Sequence, residues 1–283
     1  MSLPPPPQKS SPHTAHESHP PRYALLDGIR GITLCSMILY HAAWDAVYLL
    51  GADWPWYGGA AGFLWQQSIC WTFILLSGFC VNFSRRLLRR GLLVSAAGAL
   101  VTAATLVALP QDRVVFGVLT LLGACMVLAA AGRSVNRRLC RRGAGEKETA
   151  AGEKKQVLWI FALVMSAFLF FLFRGVNAGY AGFGALRLFS FPQGWYRGMA
   201  ATFLGFTDPV FFSTDYFSLL PWLFLFLCGL FLGKLCLRGG ALQNGIWKKR
   251  LPAFDWMGRH SLLLYLLHQP LLYLLVLLIQ ARR

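Results

Sequence analysis

The chain has 283 residues, 56% hydrophobic and 14% aromatic, and only 13% are charged, against roughly 25% for a typical soluble domain. Its formal net charge of +16 lies between the apolar runs rather than within them. That excludes a soluble globular fold and makes nucleic-acid binding the weaker reading of the basic balance, leaving an all-α, polytopic membrane helical bundle.

Residues 1–22, "MSLPPPPQKSSPHTAHESHPPR", combine proline, serine and histidine without apolar periodicity and are expected to form a disordered tail. His13, His16 and His19 recur every third residue there, but no second ligand cluster accompanies them and no metal site is expected. From residue 23 the chain reads as a single transmembrane domain. Seven runs approach the length needed to cross a bilayer: 29–50, 62–83, 91–109, 114–131, 157–173, 217–233 and 261–279. The polar stretch 133–155 divides four spans from three and reads as a cytoplasmic linker. The connection from Arg174 to Tyr216, rich in Gly, Phe, Trp, Tyr and Pro, suits a segment at the interface or folded over an outer mouth. Seven cysteines, with Cys35, Cys70, Cys80 and Cys228 inside apolar runs, give no disulfide framework.

With the amino end cytoplasmic, all but Arg113, Arg174, Arg187, Arg197, Arg282 and Arg283 of the 27 basic residues fall on the cytoplasmic side. The positive-inside rule therefore predicts a multi-pass plasma-membrane protein with a cytoplasmic N-terminus.

Polar residues at depth carry the functional reading. Counting from Arg30 at about 1.5 Å per residue, His41 lies roughly 16 Å up the first helix, near the bilayer middle. Asp45 follows one turn further on the same face. An aspartate beside an imidazole orients the ring and supports its imidazolium form. Counting likewise from Arg259, His268 rises about 13 Å, to nearly the depth of His41, so two helices can bring two imidazoles together. Buried histidines also serve as interhelical glue, worth about 0.6 kcal/mol on average, but intramembrane ionisable residues are functional by default.

The two ends suggest two partners. At the cytoplasmic end Asp27 and Arg30 share a face, and Arg85, Arg86, Lys234 and Arg259 lie at other mouths, a set able to hold the phosphates of a nucleotide-like donor. At the outer end Trp44, Tyr48, Trp54, Trp56, Tyr57 and Trp65 crowd the first hairpin, joined by Trp195, Tyr196, Tyr216 and Trp222. With Asp53, Asp208 and Asp215 they describe either an ordinary aromatic belt or a surface for a sugar-like acceptor.

The run "LLDGIRGITLCSMILYHAAWD" resembles the first span of the heparan-alpha-glucosaminide N-acetyltransferase catalytic-domain family, in its short bacterial branch. In order there follow "FILLSGFCVNFSRR", "FGVLTLLGACMVL", "FFSTDYFSLLPWLFLFLCGLFLGK" and "GRHSLLLYLLHQPLLY", so the likeness covers most of the chain from Tyr23. The resemblance implies a transmembrane acyltransferase-like domain over 23–283, located in an inner membrane. Acetyl-CoA would be its cytosolic co-substrate and the acceptor a glycan-like amine or hydroxyl at the far face; from the residues themselves no metal is expected, since only His41 and Asp45 have ligand-like spacing. The lysosomal enzymes carry asparagine where this chain has His41 and place their catalytic histidine in the following outer loop. Here that loop, "GADWPWYGGAAG", has none. Either His41 takes over the base role from within the helix, or the short branch does something else. On the first alternative His41, Asp45 and His268 are the catalytic set, Arg30, Arg259 and Asp27 hold the CoA end, and Trp44, Asp215 and Trp222 meet the acceptor. Two other functional classes stay open: a proton-coupled small-solute transporter, with the same histidines and Asp45 as a relay, and a non-catalytic membrane subunit, in which His41 and Asp45 would be replaceable.

Overall fold

The computed structural model describes residues 23–142 and 148–282, so the expected tail and its three histidines lie outside the described residues. Long helices dominate: α1 (Ala24–Tyr48), α2 (Ala60–Val81), α3 (Leu87–Ala108), α4 (Val118–Arg142) and α5 (Glu148–Leu172), then α7 (Leu219–Arg238) and α9 (Ser261–Gln280). A short antiparallel hairpin, β1 (Tyr180–Phe183) and β2 (Leu186–Ser190), and the two-turn helix α6 (Gly198–Leu204) separate α5 from α7, while α8 (Pro252–Arg259) leads into α9. In hydrocarbon every backbone amide and carbonyl must be satisfied within its own segment, which is why the apolar runs become helices.

Among the described residues six helices are long and apolar enough to cross a membrane, and the chain is a polytopic helical membrane protein. Helix α1, expected as the first of seven spans, is not among the six. Its 25 residues reach about 37 Å, but Asp27, Arg30, His41 and Asp45 dilute its apolar character. It begins five residues before the expected boundary. The segment expected as a loop at 133–155 also differs: α4 continues to Arg142 and α5 starts at Glu148. Its arginines, lysines, glutamates and alanines are good helix formers, and both spans propagate into them.

Large apolar side chains point outward, as lipid-facing surfaces require. Leu92 and Leu100 on α3, Phe161 and Val164 on α5, and Leu271 and Leu274 on α9 are exposed. The interior packs around Ile74, Leu121, Cys125, Phe170 and Phe226. Several helix pairs approach so closely that glycine is required. A Cβ on Gly31 of α1 would meet the Phe254 carbonyl of α8, and one on Gly258 would meet that of Asp27. Between α2 and α7, Gly78 and Gly229 stand in the same relation to the carbonyls of Phe226 and Leu75. Such small-residue contacts let backbones pack without a hydrophobic driving force.

Helices α4 and α7 start inside the bundle. Gly98 of α3 lies against Thr120, so α4 begins about 12 Å short of the end of α3. The pairing of Gly78 with Phe226 sets the start of α7 about 16 Å below the start of α2. Non-helical chain fills both recesses: Val114 donates its amide to Thr105 Oγ1, and the amide of Phe217 donates to the Phe116 carbonyl. This is how the connection preceding α7 carries Asp215 down to the first residues of α4.

Candidate active site

One face of α2 presents Gln66, Cys70, Phe73, Ser77 and Cys80 at helical spacing, and all five line a cavity of about 290 Å³. From Gln66 to Cys80 the cavity follows the helix for about 21 Å. At the basic end it is bounded by Arg30, Arg90, Gly258 and Arg259. At the other end it is bounded by Tyr40, His41, Asp215 and Tyr265. Its volume is at the lower limit of ligand pockets, about 300 Å³, and fits an extended thioester arm better than a whole nucleotide.

The two intramembrane histidines meet at this far end. His41 Nδ1 and His268 Nε2 are 2.7 Å apart, with the rings nearly parallel at 16°. His268 Nδ1 faces the backbone carbonyl of Tyr265, which can only accept, so that nitrogen carries the hydrogen. In the neutral ring Nε2 is then the acceptor, and His41 Nδ1 must donate to it. The lone pair of His41 is thereby left on Nε2, in a side chain that borders the cavity. Helix α1 thus supplies an imidazole whose tautomer is set by α9.

Asp45 does not orient His41, contrary to the expectation from its i, i+4 spacing. It is 2% exposed and its Oδ1 accepts from Gln269 Nε2 at 3.3 Å. The turn of α9 beyond His268 offers it a nearer partner than the imidazole on its own helix.

Arg30 ties three helices together. Its guanidinium pairs with Asp27 at 2.9 Å, reaches Cys80 Sγ of α2 at 3.0 Å and the Gly258 carbonyl of α8 at 3.5 Å. Asp27 does not border the cavity but holds Arg30, which does. Arg259 borders the cavity, with Nε on the carbonyl of Asp255. Lys234 lies over the rings of Trp159 and Phe231 instead.

Of the residues expected to meet an acceptor, only Asp215 lines the cavity. Its carboxylate faces the Val118 amide at the start of α4 and the Tyr265 hydroxyl of α9. Trp44 packs on Tyr48. Trp222 joins Phe170 and Trp71 around the Arg174 guanidinium, with centroids 5.4–5.6 Å away. Asp208 is a local brace, accepting from the amides of Gly198 at 2.7 Å and Val210 at 3.1 Å, and these bonds hold its carboxyl below the usual carboxylate range. The aromatic crowd of the first hairpin packs on itself: Tyr40 touches Tyr57 and Trp65, and Trp65 Nε1 donates to Ser36 Oγ at 2.8 Å.

Tyr265, Cys70, Gln66 and Tyr40 escaped the sequence reading. The polar and small residues repeating along one face of α2 were the available signal, together with a tyrosine one turn before His268. Asp215, in contrast, depends on a re-entrant chain path that no periodicity encodes.

Residues 22–144 and 156–270 match the family described as heparan-alpha-glucosaminide N-acetyltransferase, catalytic. No curated protein and no solved structure matches the chain.

Proposed function

We propose, from the chain's place in the heparan-alpha-glucosaminide N-acetyltransferase catalytic family, to which it belongs, that it moves an acetyl or other acyl group from cytosolic acyl-CoA to an amine or hydroxyl of a glycan-like acceptor at the outer face. The observation that carries this reading is the hydrogen-bonded His41–His268 pair, at the far end of a cavity that opens among arginines.

His41 Nε2 takes the proton from the acceptor nitrogen or oxygen as that atom attacks the thioester carbonyl. The new C–N or C–O bond forms and the C–S bond breaks. The proton held on His41 then neutralises the departing thiolate, so no net proton is consumed. His268 keeps His41 in the productive tautomer and shares the charge of its imidazolium form through the bond to Nε2. Arg30 and Arg259 attract the phosphates of the donor at the basic mouth, and the apolar wall between them and His41 holds its arm. Asp27 fixes Arg30, and Asp215 meets the acceptor. The excess of arginine and lysine on that side of the spans supports an orientation with the arginine mouth in the cytosol.

Purified protein given acetyl-CoA and a panel of amino sugars is expected to release free thiol, and to do so only with acceptor present. A proton-coupled transporter releases none and accumulates solute in sealed vesicles. That result would overturn the reading.

A further inference from the structure

One buried titratable group has no part in the transfer just described. Asp45 of α1 and Gln269 of α9 face each other beside the histidine pair, each next to it along its own helix, with Asp45 one turn beyond His41 and Gln269 directly after His268. Gln269 Nε2 donates to Asp45 Oδ1, which engages one oxygen of the carboxyl and the nitrogen of the amide. The remaining oxygen of each group, Asp45 Oδ2 and Gln269 Oε1, is buried without a hydrogen-bond partner among the described residues.

Turning the amide over does not help. With an ionised carboxylate, one edge of the pair always sets oxygen lone pairs against oxygen lone pairs. No ion pair joins Asp45 to a lysine or arginine among the described residues. Tyr57, which feels its charge, donates its hydroxyl to the Tyr40 carbonyl, and the two histidines next to the pair are bonded to each other. A single hydrogen on the carboxyl satisfies both orphan oxygens at once, because a carboxylic acid and a primary amide are complementary along both edges.

We propose that Asp45 carries a hydrogen on Oδ2 and donates it to Gln269 Oε1, closing a cyclic acid–amide clasp that sets α9 against α1 and so positions His268 on His41. Asp45 and Gln269 are positioning residues: neither borders the cavity, and their effect passes through the register of two helices. The positioning role rests on the acyltransfer reading, whereas the hydrogen on Asp45 does not.

Infrared difference spectra of the full chain in lipid nanodiscs at neutral pH test the hydrogen directly. Wild type minus Asp45→Asn is expected to contain the carbonyl stretch of a protonated carboxylic acid, and Gln269→Leu is expected to shift that band. Absence of the band overturns the proposal, and this arm reads nothing from turnover. The second arm is rescue. Asp45→Ala and Gln269→Leu are expected to lower kcat about tenfold with the KM for acetyl-CoA unchanged, while Asp45→Asn, whose amide donates where the acid did, stays within about threefold of wild type. An Asn variant as slow as the Ala variant shows that an ionised carboxylate is needed and overturns the clasp. If wild type shows the band but no thiol release, the acyltransfer reading fails and the clasp stands.

Discussion

The carbonyl oxygen of Tyr265 accepts a hydrogen bond from His268 Nδ1, one turn further along the same helix. That bond leaves His268 Nε2 able only to accept in the neutral ring, and it propagates a defined tautomer to His41. Replacing His268 by Ala removes the partner of the imidazolium that forms during transfer. A hydrogen bond to a charged group is worth about 1.5–3 kcal/mol, so kcat should fall about tenfold to a hundredfold. His268→Gln offers an amide oxygen to His41 Nδ1 and should recover part of that loss. Equal rates for wild type and His268→Ala in the thiol-release assay would remove His268 from the site.

His41→Ala deletes the base itself. The expected cost is about a hundredfold or more in kcat, with protein yield and thermal transition close to wild type because an interhelical hydrogen bond in a membrane is worth only about 0.6 kcal/mol on average. Full turnover in folded His41→Ala protein refutes the assignment.

Arg259 is exposed and borders the mouth of the cavity, so it can be removed with little structural effect. Arg259→Ala should raise the KM for acetyl-CoA several-fold and leave kcat nearly unchanged. The wild-type KM should rise with ionic strength, because exposed charge attraction is screened over about 10 Å at 0.1 M salt. Arg30→Ala should additionally loosen the fold, since Arg30 also holds Asp27, Cys80 and Gly258. A KM indifferent to both Arg259→Ala and salt would place the donor elsewhere.

The backbone contact between α1 and α8 leaves no room for a larger residue. Gly31→Leu should destabilise by about 1–3 kcal/mol or more, the cost of overpacking, because the neighbour it strikes is backbone. Gly132 of α4 has open space around it, and Gly132→Ala should be neutral or stabilising by about 0.5–1 kcal/mol. Thermal unfolding of the two variants in detergent should separate them. Similar melting temperatures would contradict the close approach.

Asp208 gives the connection before α7 a pH dependence. Its carboxyl accepts from two backbone amides, which lower its folded-state value below the unfolded one of 3.8. Its contribution is therefore complete above the unfolded value and is lost as pH falls through the folded value. Wild type should exceed Asp208→Ala in melting temperature at neutral pH, and the gap should close below about pH 4. A gap that persists undiminished into that acid range would show that the ionised carboxylate is not what holds the turn.

Much of the architecture was legible because bilayer thickness and helical rise are fixed lengths. Apolar runs marked each long helix, although α1 is not among the six apolar enough to span and α4 and α5 run on into the stretch expected as a linker; counting from Arg30 and Arg259 put His41 and His268 at one depth, where they touch. Spacing alone misled for Asp45: i and i+4 share a helix face but do not choose a partner, and Gln269 on the neighbouring helix took it. Trp44 and Trp222 looked like acceptor contacts because aromatic residues are common both at interfaces and in sites, and here they pack on other rings. Asp215 was legible as an outer aspartate but not as a cavity residue. Its position follows from where α4 and α7 begin, which the close approaches at Gly98 and Gly78 determine.

The recessed starts of α4 and α7 divide the molecule into two building styles. The basic half is locked by backbones touching at Gly31, Gly78, Gly229 and Gly258, so its helix spacing tolerates almost no revision. The opposite half is completed by irregular chain, the hairpin and α6, held mainly by side chains such as Tyr196 on the Val176 carbonyl and Tyr216 on that of Thr202. Such a cap can be rewritten without unpicking the bundle beneath it. Exchanging the exposed hairpin tip from Gly184 to Ser190 for a foreign one should therefore leave the melting temperature of the bundle close to wild type.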